Sequence, residues 1–382
     1  MAEARGKHIF LITAFLLIIY VVGLIQVVME LAEGERPLFL NVFLQAPKAT
    51  NLRGFEKELE EANRLSQTLQ PWVRLIQFAV LRDTGDKAIM GQSGWFFYKP
   101  GVQYLIEPWP LHAGTTPEQG DVLTAVISFR DQLSDREIQL LAVPAPSKEC
   151  IYPHKLTSFA KEAKQPVYAH TLKVLSDLKK AGVDVVNLFD VYSSAPSRSS
   201  QTSESPLYLA QDTHWSPEGM QLAAQAVAKE ILDRGWVKKG SMEYGLKSIL
   251  VRRQGDILRM MNIPLLDRYY APEELHCSQV ILSASGEPYR DDPNSEILVL
   301  GDSYLRIYER DEPRSAGFVS HLAYELKLPL ASIVSDGGAS TLVRQELSRK
   351  TNLLHNKKLV VWEFVDRDIR FGTEGWQKVP LP

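Results

Sequence analysis

The sequence contains little cysteine and no excess of charge of one sign. Its 382 residues include two cysteines, Cys150 and Cys277, which lack the spacing of a metal site. Whether a disulfide joins them is left open by the sequence. The formal net charge of -3 at pH 7 gives no basic surface of the kind that binds nucleic acid. The sequence therefore predicts no metal, no dissociable cofactor and no nucleic-acid partner.

The chain has the composition of a globular protein, and it contains one long apolar run. Hydrophobic residues make up 45% of it and charged residues 23%, which suits one large α/β domain or two smaller ones. Residues 9–29 carry no charge, and at about 1.5 Å per residue they span about 30 Å, the hydrocarbon thickness of a bilayer. We interpret them as a membrane anchor, with a cleaved signal peptide as the alternative.

The charges on the two sides of this run predict its orientation. The positive residues Arg5 and Lys7 precede it, and Glu30, Glu33 and Glu35 follow it. Because positive residues are retained on the cytoplasmic side, we expect residues 1–8 in the cytoplasm and the bulk of the chain outside.

Residues 30–84 have the pattern of a membrane-proximal helical stalk. Apolar residues recur there at helical spacings of three and four, at Phe55, Leu59, Ala62, Leu65 and Leu69. Pro71 is expected to end or kink this helix, and a second short helix is predicted over 72–81. Residues 85–382 then form the remaining domain.

Within that domain the pattern alternates between helix and strand. Helical spacing covers 121–133, 167–180, 318–326 and 341–349, and apolar strands cover 138–143, 183–189, 297–300, 330–334 and 359–364. This alternation predicts an α/β fold with a mostly parallel sheet and helices on both faces. Residues 87–98 are predicted to enter the fold as a hairpin.

The apolar strand at 297–300 runs into Gly301, Asp302 and Ser303. A glycine there permits a sharp turn, so Ser303 would lie at the carboxyl end of a strand, where open α/β sheets carry their reactive groups. Ser303 is therefore a candidate nucleophile, which requires a neighbouring base. The alternative is an ordinary strand-to-helix turn with Asp302 or Ser303 as the N-cap.

A candidate base lies in the segment QDTHWSPEGM, before a helix that Ser216 and Pro217 are predicted to start. Asp212 and His214 are two residues apart, so in an extended segment they project the same way. The carboxylate can then hold one imidazole nitrogen and leave the other for Ser303. A surface pair or a single metal ligand would have the same local pattern.

Several further residues are candidates for the same site. An amide of Gly337 or Gly338, after a predicted strand, is either an oxyanion donor or part of a bare turn. Trp215 and Tyr304 are either sugar-stacking surfaces or packed aromatics. Lys148 is interpreted as a surface lysine, with substrate binding as the alternative.

Five motifs together resemble the AlgJ/AlgX family of alginate O-acetyltransferases, whose domain is similar to an SGNH hydrolase with a permuted order of motifs. They are GQSGWFFY, PAPSKECIYP, DTHW, GDSY and WEFVDR, and the resemblance covers most of residues 85–372. It implies Ser303 as nucleophile, His214 as base and Asp212 as its partner. Arg367 of WEFVDR would support an oxyanion or grip a sugar, or else pair with Glu363 or Asp366.

The resemblance also implies a function and a setting. The expected activity is acetylation of hydroxyls on an exported, alginate-like polysaccharide in the periplasm, through an acyl-serine intermediate. The expected location is the bacterial inner membrane, with a membrane-bound O-acyltransferase as the partner that supplies acetyl groups. The alternatives are a carbohydrate acetylesterase with the same three residues and a non-catalytic scaffold of a polysaccharide export complex.

Overall fold

A computed structural model describes residues 2–44, 46, 48–62, 64–107, 120–162, 166–195 and 206–381. The chain divides into two compact units, Met1–Asp83 with Asn262–Pro264, and Thr84–Met261 with Leu265–Pro382.

The first unit is helical. Its helices are α1 (Ala2–Ala32), a 3-10 helix (Leu38–Leu40), α2 (Asn41–Leu44), α3 (Ala49–Ala62) and α4 (Arg64–Leu81). Within α1, Leu11–Ala32 is long and apolar enough to cross a membrane, and it is the one such helix among the described residues. Pro71 does not end α4, because the covered side of the helix continues beyond it through Leu75 and Phe78.

The second unit contains the remaining elements. Its strands are β1 (Ala88–Met90), β2 (Phe96–Tyr98), β3 (Gln139–Ala145), β4 (Asp184–Val185), β5 (Tyr244–Arg253), β6 (Glu273–Leu282), β7 (Ile297–Gly301), β8 (Ala331–Val334) and β9 (Leu359–Val365). Its helices are α5 (Lys99–Ile106), α6 (Val122–Ser134), α7 (Lys148–Ile151), α8 (Pro153–Leu156), a 3-10 helix (Ser158–Glu162), α9 (Ala169–Lys180), α10 (Leu188–Ser193), α11 (Pro217–Asp233), α12 (Asp256–Met261), α13 (Leu266–Tyr269), α14 (Ser303–Arg306), α15 (Phe318–Leu326), α16 (Leu342–Arg349) and α17 (Asp368–Phe371).

The central sheet has five strands in the order β4-β3-β9-β7-β8, and every neighbouring pair is parallel. All residues of β7 and β9 are buried, as expected for strands covered on both faces. The predicted α/β fold is confirmed. If the strands are counted in cyclic order from β7, the sheet reads 2-1-3-4-5, a doubly wound order whose direction reverses between β7 and β9.

Two antiparallel pairs lie outside this sheet. β1 and β2 form the predicted hairpin. β5 and β6 form a ten-residue ribbon that the sequence did not predict, because its apolar residues alternate irregularly with charged ones. The strand predicted at 183–189 is shorter than expected, because Asn187 accepts a hydrogen bond from the amide of Phe189 and starts α10.

Candidate functional site

Strand β7 ends in a turn that positions Ser303. A Cβ at Gly301 would lie 2.5 Å from Oε2 of Glu363 and 2.6 Å from Cδ1 of Leu305, so a larger residue would have to displace these buried side chains. The Asp302 side chain accepts a hydrogen bond from the amide of Tyr304 at 2.8 Å and caps α14. Ser303 is therefore the first residue of a short helix at the carboxyl end of a central strand, and it is half-buried.

The loop before α11 brings the predicted base to this serine. The Ser216 side chain accepts from the amide of Gly219 and caps α11, as predicted. Nε2 of His214 lies 2.9 Å from Oγ of Ser303, and Nδ1 lies 2.6 Å from Oδ1 of Asp212. The three predicted side chains thus form one continuous hydrogen-bonded row, with Asp212 and His214 buried and Ser303 at its open end.

Asp212 has a second oxygen, and it too is held. Oδ2 accepts from Nε of Arg253 at 2.9 Å and from the amide of Asp256 at 3.1 Å. Burial alone would raise the pKa of the Asp212 carboxyl, but His214 and Arg253 hold this pKa well below its usual range. Asp212 is therefore ionised and fixed in place, which suits a group that orients an imidazole.

Arg253 also begins a chain of ion pairs that leads to the surface. Its Nη1 lies 3.3 Å from Oδ2 of Asp311, and Asp311 Oδ1 lies 2.5 Å from Nη1 of Arg306. Nε of Arg306 in turn lies 2.9 Å from Oδ1 of Asp336, in the loop after β8. The buried carboxylate and the loop of the candidate oxyanion glycines are thus joined by alternating charges.

Asp256 lies close to the same imidazole. Its Oδ1 accepts from the amide of Thr213 at 2.7 Å, its Oδ2 accepts from the Thr213 hydroxyl at 2.6 Å, and Oδ2 lies 3.5 Å from Nδ1 of His214. One ligand atom each of Asp212, His214 and Asp256 lies within 4.8 Å of the others, a grouping that could hold a cation. The hydrogen bonds described above already occupy these atoms, so the geometry favours an oriented imidazole.

A buried lysine and a glutamate hold the loop that carries His214. Nζ of Lys148 donates to three carbonyls, those of Leu209 at 3.0 Å, Ala210 at 3.2 Å and Asp212 at 2.6 Å. The carboxylate of Glu273 accepts from the amides of Ala210 at 2.8 Å and Gln211 at 2.9 Å.

The interpretation of Lys148 as a surface residue is wrong. Its side chain is 1% exposed, and burial lowers its pKa to about 8. Three carbonyl acceptors and the nearby rings of Trp95 and Phe97 take the place of water around the ammonium group. Lys148 therefore holds the backbone of the loop and is not placed to touch a substrate.

The structure also corrects the substrate-binding alternative for two aromatic residues. Trp215 and Tyr304 are both 0% exposed, so neither ring offers a face to a sugar. Their rings meet edge to face at 4.9 Å, and Trp215 stacks on Phe318 at 5.7 Å. The Tyr304 hydroxyl donates to the carbonyl of Thr213 at 2.9 Å, so the residue beside the nucleophile also fixes the His214 loop.

The remaining candidates lie at the same edge of the sheet. The amide of Ser335 donates to the carbonyl of Gly301, so the loop with Gly337 and Gly338 starts beside the end of β7. Gly337 is exposed and has a φ of +63, a conformation that favours glycine. A Cβ at Gly338 would lie 2.5 Å from the hydroxyl of Ser335.

Arg367 follows β9 and is half-buried, with its guanidinium 5.2 Å from the centre of the Tyr98 ring. Among the described residues, no ion pair within 4 Å joins Arg367 to Glu363 or Asp366, although its charge acts to lower the pKa of both carboxyls. Asp366 instead accepts from Sγ of Cys150 at 2.8 Å and from the amide of Ser147 at 3.2 Å. Cys150 and Cys277 are both free and buried, which answers the open question of a disulfide.

A parallel five-stranded sheet whose carboxyl edge aligns a serine, a histidine and an aspartate is the arrangement of the SGNH hydrolase-like class. The family model described as "SGNH hydrolase-like domain, acetyltransferase AlgX" matches residues 88–366. The chain belongs to this family, and the resemblance seen in its motifs is confirmed.

Curated relatives carry the name "Probable alginate O-acetylase AlgJ". The protein from Pseudomonas fluorescens is 21% identical over 255 residues, which is 65% of this chain and 61% of that protein. The one from Pseudomonas aeruginosa is 23% identical over 326 residues, 79% of this chain and 75% of its own length. The match therefore covers less than two thirds of the first relative.

Two solved structures share the fold. The O-acetyltransferase domain of Pseudomonas putida AlgJ superposes with a TM-score of 0.57 at 20% identity, over 74% of this chain and 92% of that one. Pseudomonas aeruginosa AlgX gives 0.54 at 18% identity, over 73% of this chain and 62% of that one.

Proposed function

We propose that this protein is an O-acetyltransferase that moves acetyl groups through Ser303 onto hydroxyls of an alginate-like polysaccharide. The observation that carries the proposal is the row from Ser303 Oγ through His214 to Asp212, with gaps of 2.9 and 2.6 Å. Membership of an acetyltransferase family and the name shared by the curated relatives support the choice of reaction and substrate.

In the first step, Ser303 Oγ attacks the carbonyl carbon of an acetyl donor while His214 Nε2 accepts the hydroxyl proton. Asp212 accepts a hydrogen bond from Nδ1–H and stabilises the imidazolium that forms. As the donor's leaving group departs, it takes the proton from Nε2, and the acetyl group remains on Ser303. Arg253 keeps Asp212 charged and fixed during this step.

The negative charge on the attacked carbonyl oxygen needs donors. Within the described ranges, no acceptor is bonded to the amide of Ser303, so this N–H is available for the oxyanion. We assign a second donor to the loop of Gly337 and Gly338, whose start is bonded to the end of β7. Arg367 would support the same charge or bind the sugar.

In the second step, a sugar hydroxyl loses its proton to His214 Nε2 and attacks the acetyl carbon on Ser303. The bond to Ser303 Oγ breaks, and the proton returns from Nε2 to the serine. Transfer instead of hydrolysis requires the acceptor to be held in attacking geometry while water is limited. Because Trp215 and Tyr304 are buried, exposed residues around Ser303 must hold the acceptor sugar in this geometry.

The proposed setting is the periplasmic side of the bacterial inner membrane. The apolar part of α1 supports an anchor, with residues 1–8 in the cytoplasm, 9–29 in the membrane, 30–84 as a stalk and 85–382 as the acetyltransferase domain. Acetyl-coenzyme A is a cytoplasmic donor. A membrane-bound O-acyltransferase partner would therefore have to pass acetyl groups outward.

The test is to incubate the purified chain with an activated acetyl ester and a panel of neutral and anionic oligosaccharides. We expect slow hydrolysis of the ester alone, and a gain of acetyl mass on an oligosaccharide of uronic acids, with no gain for Ser303→Ala. Removal of acetyl groups already on the sugar, without any gain, would favour the esterase. Polysaccharide acetylation that persists in cells carrying Ser303→Ala would favour the scaffold.

A further inference from the structure

Helix α4 carries a row of large apolar side chains that face outward. The row, here called the α4 stripe, consists of Leu69, Trp72, Val73, Ile76 and Val80, which are 49%, 51%, 50%, 63% and 72% exposed. Spacings of three and four place all five on one side of the helix. A protein surrounded by water rarely leaves so many large apolar groups side by side on its surface.

The opposite side of α4 is the one that the protein covers. Phe78 is 7% exposed, and Pro71, Arg74 and Leu75 are half-buried. Large apolar side chains thus lie on both sides of the helix, but only one side is covered within the described residues of the first compact unit. The stripe therefore needs a partner from outside it.

The contact between α1 and α4 indicates what that partner is. Over the described side chains of α1, only residues 26, 27, 29 and 30 are covered, so α4 meets α1 near the end of the apolar stretch Leu11–Ala32. Glu30 lies there, buried, and accepts from the amide of Leu38 at 3.0 Å. A charged residue at the end of a membrane span belongs near the interface, and this contact brings α4 to the same level.

The segment between the two helices has the same character. Phe39, Phe43 and Leu44 are 42%, 79% and 58% exposed, so outward-facing apolar side chains continue from α1 towards α4. The sequence of α4 contains arginine and no acidic residue, which suits a surface of anionic lipid headgroups. Trp72 is of the residue type enriched at this depth.

We propose that α4 lies along the membrane surface with its stripe inserted between the lipids, beside the point where α1 leaves the bilayer. The inference requires that α1 crosses the membrane and goes beyond the acetyltransferase activity. A helix lying in the interface buries an apolar face between the lipids, and the α4 stripe is such a face. It would give the chain a second membrane contact, apart from the anchor.

The test places single cysteines in the full chain, reconstituted into one-copy nanodiscs of phosphatidylethanolamine with a minority of phosphatidylglycerol. Val73→Cys and Ile76→Cys report on the stripe, Gln77→Cys is the matched position next to it, and Glu56→Cys on α3 is exposed outside it. The two native cysteines are each 1% exposed, so a thiol-reactive fluorophore added to the folded protein labels the introduced site.

We expect nitroxide groups on lipid acyl chains to quench the probes at positions 73 and 76 several-fold more than those at 77 and 56, with iodide in the water showing the reverse order. Equal lipid quenching at 76 and 56 would overturn the proposal. Protection of the stripe from both quenchers would also overturn it, because a protein surface would then cover α4.

Discussion

Asp212 is the residue at which most of the charges of the site meet. Its two oxygens accept from His214, Arg253 and the amide of Asp256, and its side chain has no exposed surface. A buried carboxylate is costly unless it is paired, so these donors explain how the charge is kept beside the imidazole. They also make Asp212 depend on residues from distant parts of the chain.

The first prediction concerns the three residues as a unit. Ser303→Ala, His214→Ala and Asp212→Asn should each lower kcat by about 10³-fold or more, because the nucleophile, its base and the carboxylate that orients the base act as one unit. For the same reason the triple variant should lose little more than the most damaging single variant. Steady-state kinetics with an activated acetyl ester measure this, with thermal unfolding as the control for folding.

Additive losses would contradict this prediction, since they would mean that the three side chains act separately. Near-normal activity of Ser303→Ala would contradict it more directly, because it would require another nucleophile.

The local motifs predicted these three residues but not the residues that hold them. Gly-Asp-Ser after an apolar strand and Asp-x-His before a capped helix are each a pattern of a few consecutive residues, so each can be recognised in the sequence by itself. Arg253 reaches Asp212 across 41 positions and Lys148 reaches it across 64, so neither pairing leaves a local pattern. A single lysine in a proline-containing loop is typical of a surface position, and only the folded structure shows that Lys148 is buried.

At the scale of elements, the loop between Leu209 and His214 is irregular yet buried, so its backbone groups need partners from elsewhere. Lys148 supplies donors to its carbonyls, and Glu273 supplies acceptors to its amides. Lys148 is the first residue of α7, which follows β3, and Glu273 is the first residue of β6. The two residues thus hold the same loop in complementary ways, since Lys148 binds its carbonyls and Glu273 binds its amides.

The second prediction is that Lys148→Met lowers kcat by about 10²-fold with little change in KM, because a displaced imidazole is misaligned with Ser303. The matched control is Lys155→Met, a neighbouring lysine that lies over the Trp95 ring at 5.7 Å and has no bond to the loop in the described structure. Kinetics are measured well below the unfolding temperature of each variant.

Lys148→Met leaves three carbonyls, two of them in buried hydrogen bonds, without their donor, so a lower melting temperature is also expected. If the melting temperature falls while kcat stays normal, Lys148 is structural only. If Lys155→Met loses as much kcat, the effect does not come from the loop.

At the scale of the whole molecule, the order of the chain differs from the order of the sheet. His214 comes from the first part of the domain and Ser303 from the second, yet both meet where the strand order reverses between β7 and β9. Open α/β sheets form a crevice at this point, so His214 and Ser303 meet where such sheets bind their ligands. The strands could be predicted from their apolar runs. The meeting of His214 and Ser303 could not, because it depends on the pairing of strands that are far apart in the sequence.

The last prediction concerns the side of the membrane on which this site lies. Arg5 and Lys7 precede the apolar run and three glutamates follow it, so alkaline phosphatase fused after residue 382 should be active, because that enzyme works only outside the cytoplasm. A fluorescent protein that folds only in the cytoplasm, fused at the same place, should stay dark. Arg5→Glu with Lys7→Glu removes the positive flank and should lower the phosphatase signal several-fold. Strong fluorescence with an inactive phosphatase would place the domain in the cytoplasm, where no exported polysaccharide is available to acetylate.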